Sequence, residues 1–219
     1  VNLVTGVDIV NSLAVLLIIT SLLVVESRSP RLSAHLYSLQ SLVLVLIFIS
    51  LAVFMEATPL YIWSITALLT KVILVPLILV RALRRVGDEG EPGTILSPAA
   101  SVLTAAIFVG LAFIIVTPFH NEAILKLKPA LAVSIAHFLL GLLCILTRRN
   151  AVKQILGYCL MENGSHLTLA FMAYNAPETV EIGILTDAIF AVLIMCIITK
   201  GLFRVTGTLD TDRLTSLKG

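Results

Sequence analysis

The sequence predicts an all-α fold: a polytopic transmembrane bundle of about seven helices, N-terminus outside and C-terminus cytoplasmic. Three observations carry this. The 219 residues are 58% hydrophobic and only 13% charged, with a mean hydropathy of +1.06, against roughly half apolar and a quarter charged in soluble domains. Seven windows approach the about 20 apolar residues that one bilayer crossing needs. The positive charges, finally, are strongly partitioned between alternate connections.

The windows run in order at about 6–25, 35–55, 59–83, 98–118, 128–146, 151–174 and 180–203. The first lacks a small-residue cleavage site and is too long for a signal peptide, so it reads as a retained helix. Pro30 interrupts the first connection, Pro59 opens the third helix, and the charged stretch from Gly87 to Pro98 separates the third from the fourth. Pro118, Pro129 and Pro177 mark three further ends, where the missing N–H of proline is tolerated. Backbone at lipid depth must satisfy its own polar groups, which makes these runs helices. Twelve basic residues, from Arg28 and Arg31 through Arg81, Arg84, Arg85, Arg148, Arg149 and Lys153 to the tail, fall on one side; Lys126 and Lys128 fall on the other. That asymmetry sets the orientation.

Much is excluded at this stage. A net charge of +2 spread over loops leaves no footprint for nucleic acid. Cys144, Cys159 and Cys196 lie in apolar runs without a CxxC spacing, so they read as small buried hydrophobes rather than cluster ligands or a disulfide framework. No Walker A loop, GxGxxG or HExxH is present. No cofactor or metal is expected in this chain. A seven-helix photoreceptor is rejected as well: its retinal-linking lysine belongs mid-way along the last helix, whereas Lys200 sits at that helix's cytoplasmic end, and Trp63 is the sole tryptophan.

Ionisable groups at bilayer depth cost at least about 2.5–3.5 kcal/mol each on insertion scales and therefore mark function or pairing. Lys71 is the midpoint of the third window, His137 of the fifth, and Glu162 is central in the sixth; Asp187 lies about two turns into the last. Pro76 frees the carbonyl of Val72 one turn beyond Lys71, which predicts a loosened turn beside the lysine. Glu162, Asn163 and His166 share a helix face and predict a hydrated polar stripe, while Gly157 and Gly164 predict close helix approach. For Lys71 a proton relay and a static pair with a carboxylate both stand open. His137, among Ala, Phe and Leu, is equally a relay or a packing histidine bonded to a carbonyl. Glu56, Glu122, Glu178 and Glu181 read as interface charges at helix ends.

The last three windows resemble a known family. Arg148-Arg149-Asn150, a short apolar run, Gly157 and Glu162-Asn163 are similar to the three-helix K subunit of respiratory complex I and the C subunit of multi-subunit sodium/proton antiporters. Those subunits carry a membrane glutamate after an Arg-Arg-Asn-type loop and a second acid in the following helix, where Asp187 falls. Counting from Gly157, Cys159 occupies the family's glutamate position and Glu162 follows three residues later, about 4.5 Å along the axis.

The resemblance widens over the whole chain. KPALAVSIAHFLLGLLCIL, GYCLMENGSHL, VEIGILTDAIFAV and GTLDTDRLTSLKG, with SLVLVLIF and ITALLTKVILVPLI in the front half, resemble the hydrogenase-4 component E family. This implies a division into four additional N-terminal helices (1–127), a K-subunit-like three-helix region (128–204) and a polar cytoplasmic tail (205–219). It also implies a non-catalytic subunit of a complex I-like hydrogenase of formate-hydrogenlyase type, in a bacterial or archaeal plasma membrane. The implied partners are antiporter-like and complex I H-subunit-like membrane subunits and, indirectly, soluble subunits holding the nickel–iron centre and iron–sulfur clusters. The proton path implied runs through Glu162 and Asp187, with Lys71, His137, His166 and Asn163 as further members. Two alternatives stay open: a purely structural scaffold in that arm, and a subunit of a cation/proton antiporter.

Overall fold

Residues 3–86, 94–119, 125–176 and 178–212 are described by a computed structural model. The described residues are mostly helical: α1 (Leu3–Glu26), α2 (Pro30–Phe54), α3 (Thr58–Ala67), α4 (Val75–Val86), α5 (Pro98–Val116), α6 (Lys128–Thr147), α7 (Ala151–Met172) and α8 (Glu178–Thr206). A π-helical segment, Leu68–Leu74, joins α3 to α4 in one continuous span. Among the described residues six spans are long and apolar enough to cross a membrane. The seventh, α7, is 22 residues long, which also suffices, but it carries Lys153, Gln154, Glu162, Asn163 and His166 along its length. This is a multi-pass membrane protein.

Among the described residues the expected punctuation is present; Pro177 and residues 87–93 lie outside them. Ser29 caps α2 by accepting from the Leu32 amide, with Pro30 in the first turn; Ser97 caps α5 the same way through Ala100, followed by Pro98. Asn150 caps α7 by accepting from the amides of Val152 and Lys153. Each cap satisfies donors that a helix start would otherwise leave unpaired.

The polar helix α7 takes the centre, packed against α1, α2, α6 and α8. Its closest neighbour is α6, because glycines remove the side chains that would hold the backbones apart. A Cβ at Gly141 would stand 2.3 Å from the Met161 amide nitrogen, and one at Gly164 would stand 2.4 Å from that of Phe138. Gly157 faces Gly141 and Ile145 across the same seam. The close approach expected at Gly157 and Gly164 is present and Gly141 joins it, whereas Gly110 on α5 has no neighbour within 4 Å. The outer helices α5 and α8 present exposed apolar faces, Leu103, Ile107 and Ile114 on one and Phe190, Ile194, Ile197 and Ile198 on the other, as a lipid- or subunit-facing surface requires.

One end of the bundle is tied by a polar layer. Arg148, at the end of α6, donates to Glu26 at the end of α1 at 2.7 Å, and Ser101 near the start of α5 donates to the same carboxylate. Asn150 and Asp210 form an antiparallel bridge, so the segment after α8 lies against the α6–α7 connection. Lys153 departs from the sequence reading, which counted it among solvated loop charges. It is fully buried and donates to the carbonyls of Val24, Val25 and Ser27 and to the Ser33 hydroxyl. The last carbonyls of α1 lack intrahelical donors and carry the negative end of the dipole, and the ammonium answers both needs. Glu56 is exposed, at φ 51°; Glu122 lies outside the described residues, as do the side chains of Glu178 and Glu181.

Candidate functional site: a lysine–glutamate pair and its polar chain

The π segment originates in Pro76. Proline has no N–H to offer the carbonyl of Val72, so the α ladder cannot continue through this turn. The backbone widens instead, and the Val75 amide reaches back five residues to Thr70. Val72 does not lose its hydrogen bond: the Ser38 hydroxyl of α2 donates to its carbonyl at 2.6 Å. The loosened turn expected beside Lys71 is thus a π turn containing Lys71, with a serine of α2 donating to the freed carbonyl.

Lys71 is 3% exposed and its ammonium lies 2.5 Å from Glu162 Oε1 on α7. It also donates to Asn163 Oδ1 at 2.8 Å. From Asn163 the contacts continue inward. Its Nδ2 donates to Gln40 Oε1 at 3.0 Å, and Gln40 Nε2 approaches His137 Nε2 at 3.2 Å. His137 Nδ1 and Ser21 Oγ are 2.7 Å apart, and the Ser21 hydroxyl donates to the carbonyl of Leu17. Ser41 sits beside the Gln40–Asn163 contact, 3.4 Å from each. One connected set of side chains thereby crosses the bundle interior from the π segment through α7, α2 and α6 to α1. The Tyr37 phenol, also buried, faces it beside Cys159, Ser41 and Asn163.

The arrangement brings together Lys71, Glu162, Asn163 and His137, four of the six candidates. His137, expected to be either a relay or a packing histidine bonded to a carbonyl, has both ring nitrogens engaged, by a hydroxyl and an amide. His166 takes a different place. Its ring lies 4.9 Å from that of Phe48 and 5.0 Å from that of Trp63, in an aromatic slot beside the chain rather than within it. Asp187 is on α8, and its side chain lies outside the described residues.

Glu162 is where the interior meets the outside. Its side chain is 15% exposed, toward a cavity of about 480 Å³ lined by Tyr158, Met161, Ser165, His166, Leu169 and Ile184. Ile184 comes from α8, one turn before Asp187. A second cavity of about 400 Å³ shares Ser165 and Leu169 and extends along α6 and α7 to Met172. Chemically, this is a carboxylate with one oxygen on a buried ammonium and access to a space large enough for water. Among the described residues no three His, Cys, Asp or Glu side chains converge to hold a metal, and Cys144, Cys159 and Cys196 are separate and buried.

Sequence reasoning missed Gln40, Ser41, Ser21 and Tyr37. A signal existed for the first two: Gln40-Ser41 interrupts the run from Leu36 to Leu51 in a spanning helix, and polar residues there usually bond across to another helix. Weighing only ionisable groups passed over it.

Comparison with known proteins completes the description. The family described as NADH-ubiquinone/plastoquinone oxidoreductase chain 4L matches residues 129–219. A protein of Escherichia coli K12 named hydrogenase-4 component E is 52% identical over 215 residues, 98% of this chain and 100% of the relative. One of the same name from Shigella flexneri matches equally. An uncharacterized protein of Mycobacterium tuberculosis is 28% identical over 203 residues, 92% of each chain. No solved structure matches the chain.

Proposed function

This chain belongs to the hydrogenase-4 component E family and is a membrane subunit of a complex I-like hydrogenase, and from that premise we propose that its Lys71–Glu162 pair is a proton-exchanging element of the complex's membrane arm. The observation that carries the reading is the position of Glu162, with one oxygen on the buried Lys71 ammonium and the side chain open to a cavity. A proton arriving through cavity water neutralises the carboxylate and weakens its hold on Lys71. Departure of that proton restores the pair. Such a group changes its charge in response to its surroundings, and an ion pair sealed from water does not.

In this reading Glu162 and Asp187 carry the lateral step between neighbouring subunits, across the cavity that Ile184 of α8 helps to line. Lys71 modulates Glu162, Asn163 and His137 hold the lysine's side of the chain, and His166 borders the cavity. Redox chemistry falls to partners: soluble subunits with the nickel–iron centre and iron–sulfur clusters, joined to antiporter-like and H-subunit-like membrane subunits in a bacterial or archaeal plasma membrane. The apolar faces of α5 and α8 are the surfaces available for anchoring those membrane subunits. The scaffold reading draws on the saturation of the chain from Asn163 to Ser21. The antiporter reading draws on no observation of this chain beyond its C-terminal family match, and the full-length relatives carry a hydrogenase name.

The test is Glu162→Gln and Asp187→Asn in the native complex. Each keeps shape and most hydrogen bonding while removing titration. Expected are normal assembly, normal dye-linked hydrogen oxidation, and reduced proton translocation or coupled turnover. Wild-type translocation in both variants overturns the proton reading in favour of the scaffold.

A further inference from the structure

A further cavity continues the space beside Glu162 toward the end of the bundle that bears Arg148, Arg149 and the tail, the cytoplasmic end by the asymmetry of positive charge. It measures about 340 Å³ and lies between α6, α7 and α8, with Ile145, Gln154, Tyr158, Met195, Ile198 and Thr211 in its wall. Tyr158 lines both this cavity and the one on which Glu162 opens. Gln154, Tyr158 and Glu162 follow at four-residue spacing, so they stack on one face of α7 with about 6 Å of rise between neighbours. The face that holds the exchanging carboxylate thus carries a hydrogen-bonding side chain in every turn from near the helix start.

The floor of the cavity is the segment that follows α8. Gly207, at φ 70°, turns the chain back and donates to the Phe203 carbonyl, and Leu209 is buried in the same apolar cluster as Val152 and Ile155 of α7. The Ala151 amide donates to the Leu209 carbonyl, and the Thr211 amide and hydroxyl both donate to the Arg149 carbonyl. Gln154 Nε2 donates to the Arg148 carbonyl and to Thr211 Oγ1, and its Oε1 is a further acceptor. One residue on, Asp212 pairs with Arg149 at 2.8 Å, and both side chains are partly exposed. The cavity therefore ends on a polar floor beside a hydrated ion pair.

We propose that this cavity is the inlet through which cytoplasmic water brings protons to Glu162, with Tyr158 as the partition between the two cavities and its hydroxyl as the group that passes the proton; this rests on the reading of Lys71–Glu162 as the proton-exchanging pair. The phenol oxygen accepts a proton from water on the floor side while its own proton goes to water beside Glu162. One O–H bond forms as one breaks, the phenol stays neutral, and the Glu162 carboxylate takes the proton delivered. The source is the bulk water that reaches Arg149 and Asp212. The volume holds several waters, and Gln154, Tyr158 and Thr211 offer the two to four polar partners that each needs. Polar side chains at this depth line water or face protein, and an acyl chain in the cavity would satisfy none of them.

The experiment uses inside-out membrane vesicles holding the native complex and the membrane-impermeant cationic reagent MTSET, with modification read from the mass of this chain. Its native cysteines are buried. Ile198 and Ile197 are alike in exposure, 63% and 66%, but Ile198 lines the cavity and Ile197 does not. Ile198→Cys is expected to react about tenfold faster than Ile197→Cys, since a thiol in water ionises to the reactive thiolate. Ser165→Cys, beyond Tyr158 in the Glu162 cavity, is expected to react more slowly than Ile198→Cys, faster once Tyr158→Ala is added, and not at all with Tyr158→Trp. Tyr158→Phe is expected to lower the ratio of coupled turnover to dye-linked hydrogen oxidation severalfold and to raise its solvent deuterium isotope effect. Equal rates at 197 and 198, as a lipid chain or a neighbouring helix in the cavity would give, overturn the inlet. Wild-type turnover and isotope effect in Tyr158→Phe overturn the step through the hydroxyl. Should Tyr158→Ala not assemble, the Ile198–Ile197 comparison and Tyr158→Phe still decide. Undiminished translocation in Glu162→Gln overturns the exchanging pair instead, and leaves the modification rates as they were.

Discussion

Removing either member of the Lys71–Glu162 pair is expected to destabilise the chain, and by unequal amounts. Removing one partner of a buried ion pair costs about 3–5 kcal/mol because the other charge is left unneutralised. Glu162→Met leaves the ammonium of Lys71, 3% exposed, with Asn163 as its remaining oxygen partner, so the full range applies. Lys71→Met leaves a carboxylate whose side chain is 15% exposed and opens on a cavity. Water can take the place of the ammonium there, and the loss shrinks to about that of one charged hydrogen bond, about 1.5–3 kcal/mol. The double variant carries no buried charge and is expected near wild type, since an apolar replacement of a buried pair is often neutral or stabilising. The assay is the midpoint of denaturant-induced loss of the chain's fold in lipid-containing detergent, for all four members of the cycle at one protein concentration. Additive losses would show that the two side chains do not interact. A larger loss for Lys71→Met than for Glu162→Met would refute the role assigned to cavity water.

Two further outcomes follow from packing and capping. Gly141→Val sets a branched side chain against the Met161 backbone, 2.3 Å from its amide nitrogen, and should abolish accumulation of the chain, whereas Gly110→Ala, with nothing within 4 Å, should leave membrane levels unchanged on an immunoblot. Lys153→Met strips four acceptors of a buried donor; at about 1–3 kcal/mol for each unsatisfied group that water cannot reach, it should lower the denaturation midpoint at least as far as Glu162→Met, with the same measurement as check.

The spans, their proline-marked ends and the identity of the central residues were readable because they depend on local quantities: length, hydropathy, and proline's missing donor. Pro76 shows how far such reasoning reaches. It located the freed carbonyl of Val72 correctly, yet the partner that answers it, Ser38, is 34 positions away and no local rule selects it. Lys153 shows the converse. Beside Arg148 and Arg149 it reads as one more solvated cation, and only the packing of α1 against the start of α7 turns it inward. His137 looked isolated because its partners, Ser21 and Gln40, are 116 and 97 residues distant. Long-range hydrogen bonds among neutral polar groups leave no periodic trace, so Ser21 came to light through the fold alone, and Gln40 showed in the sequence only as a break in an apolar run.

Two buried lysines, Lys153 on α7 and Lys71 facing it, have contrasting partners. Lys153 and Glu162 are nine positions apart on α7, about 14 Å of rise, so the two ammonium sites lie at different depths. At Lys153 the acceptors are three backbone carbonyls and a hydroxyl. None of these four titrates, and the Val24 and Val25 carbonyls belong to the last turn of α1. At Lys71 one acceptor is a carboxylate and the other an amide oxygen. The backbone bearing it is a π turn, so even its helical register is not that of a regular span. Equal burial therefore carries opposite meanings. Four neutral acceptors make a cap at Lys153, while at Lys71 a carboxylate that opens on a cavity is the arrangement the proposed proton exchange requires.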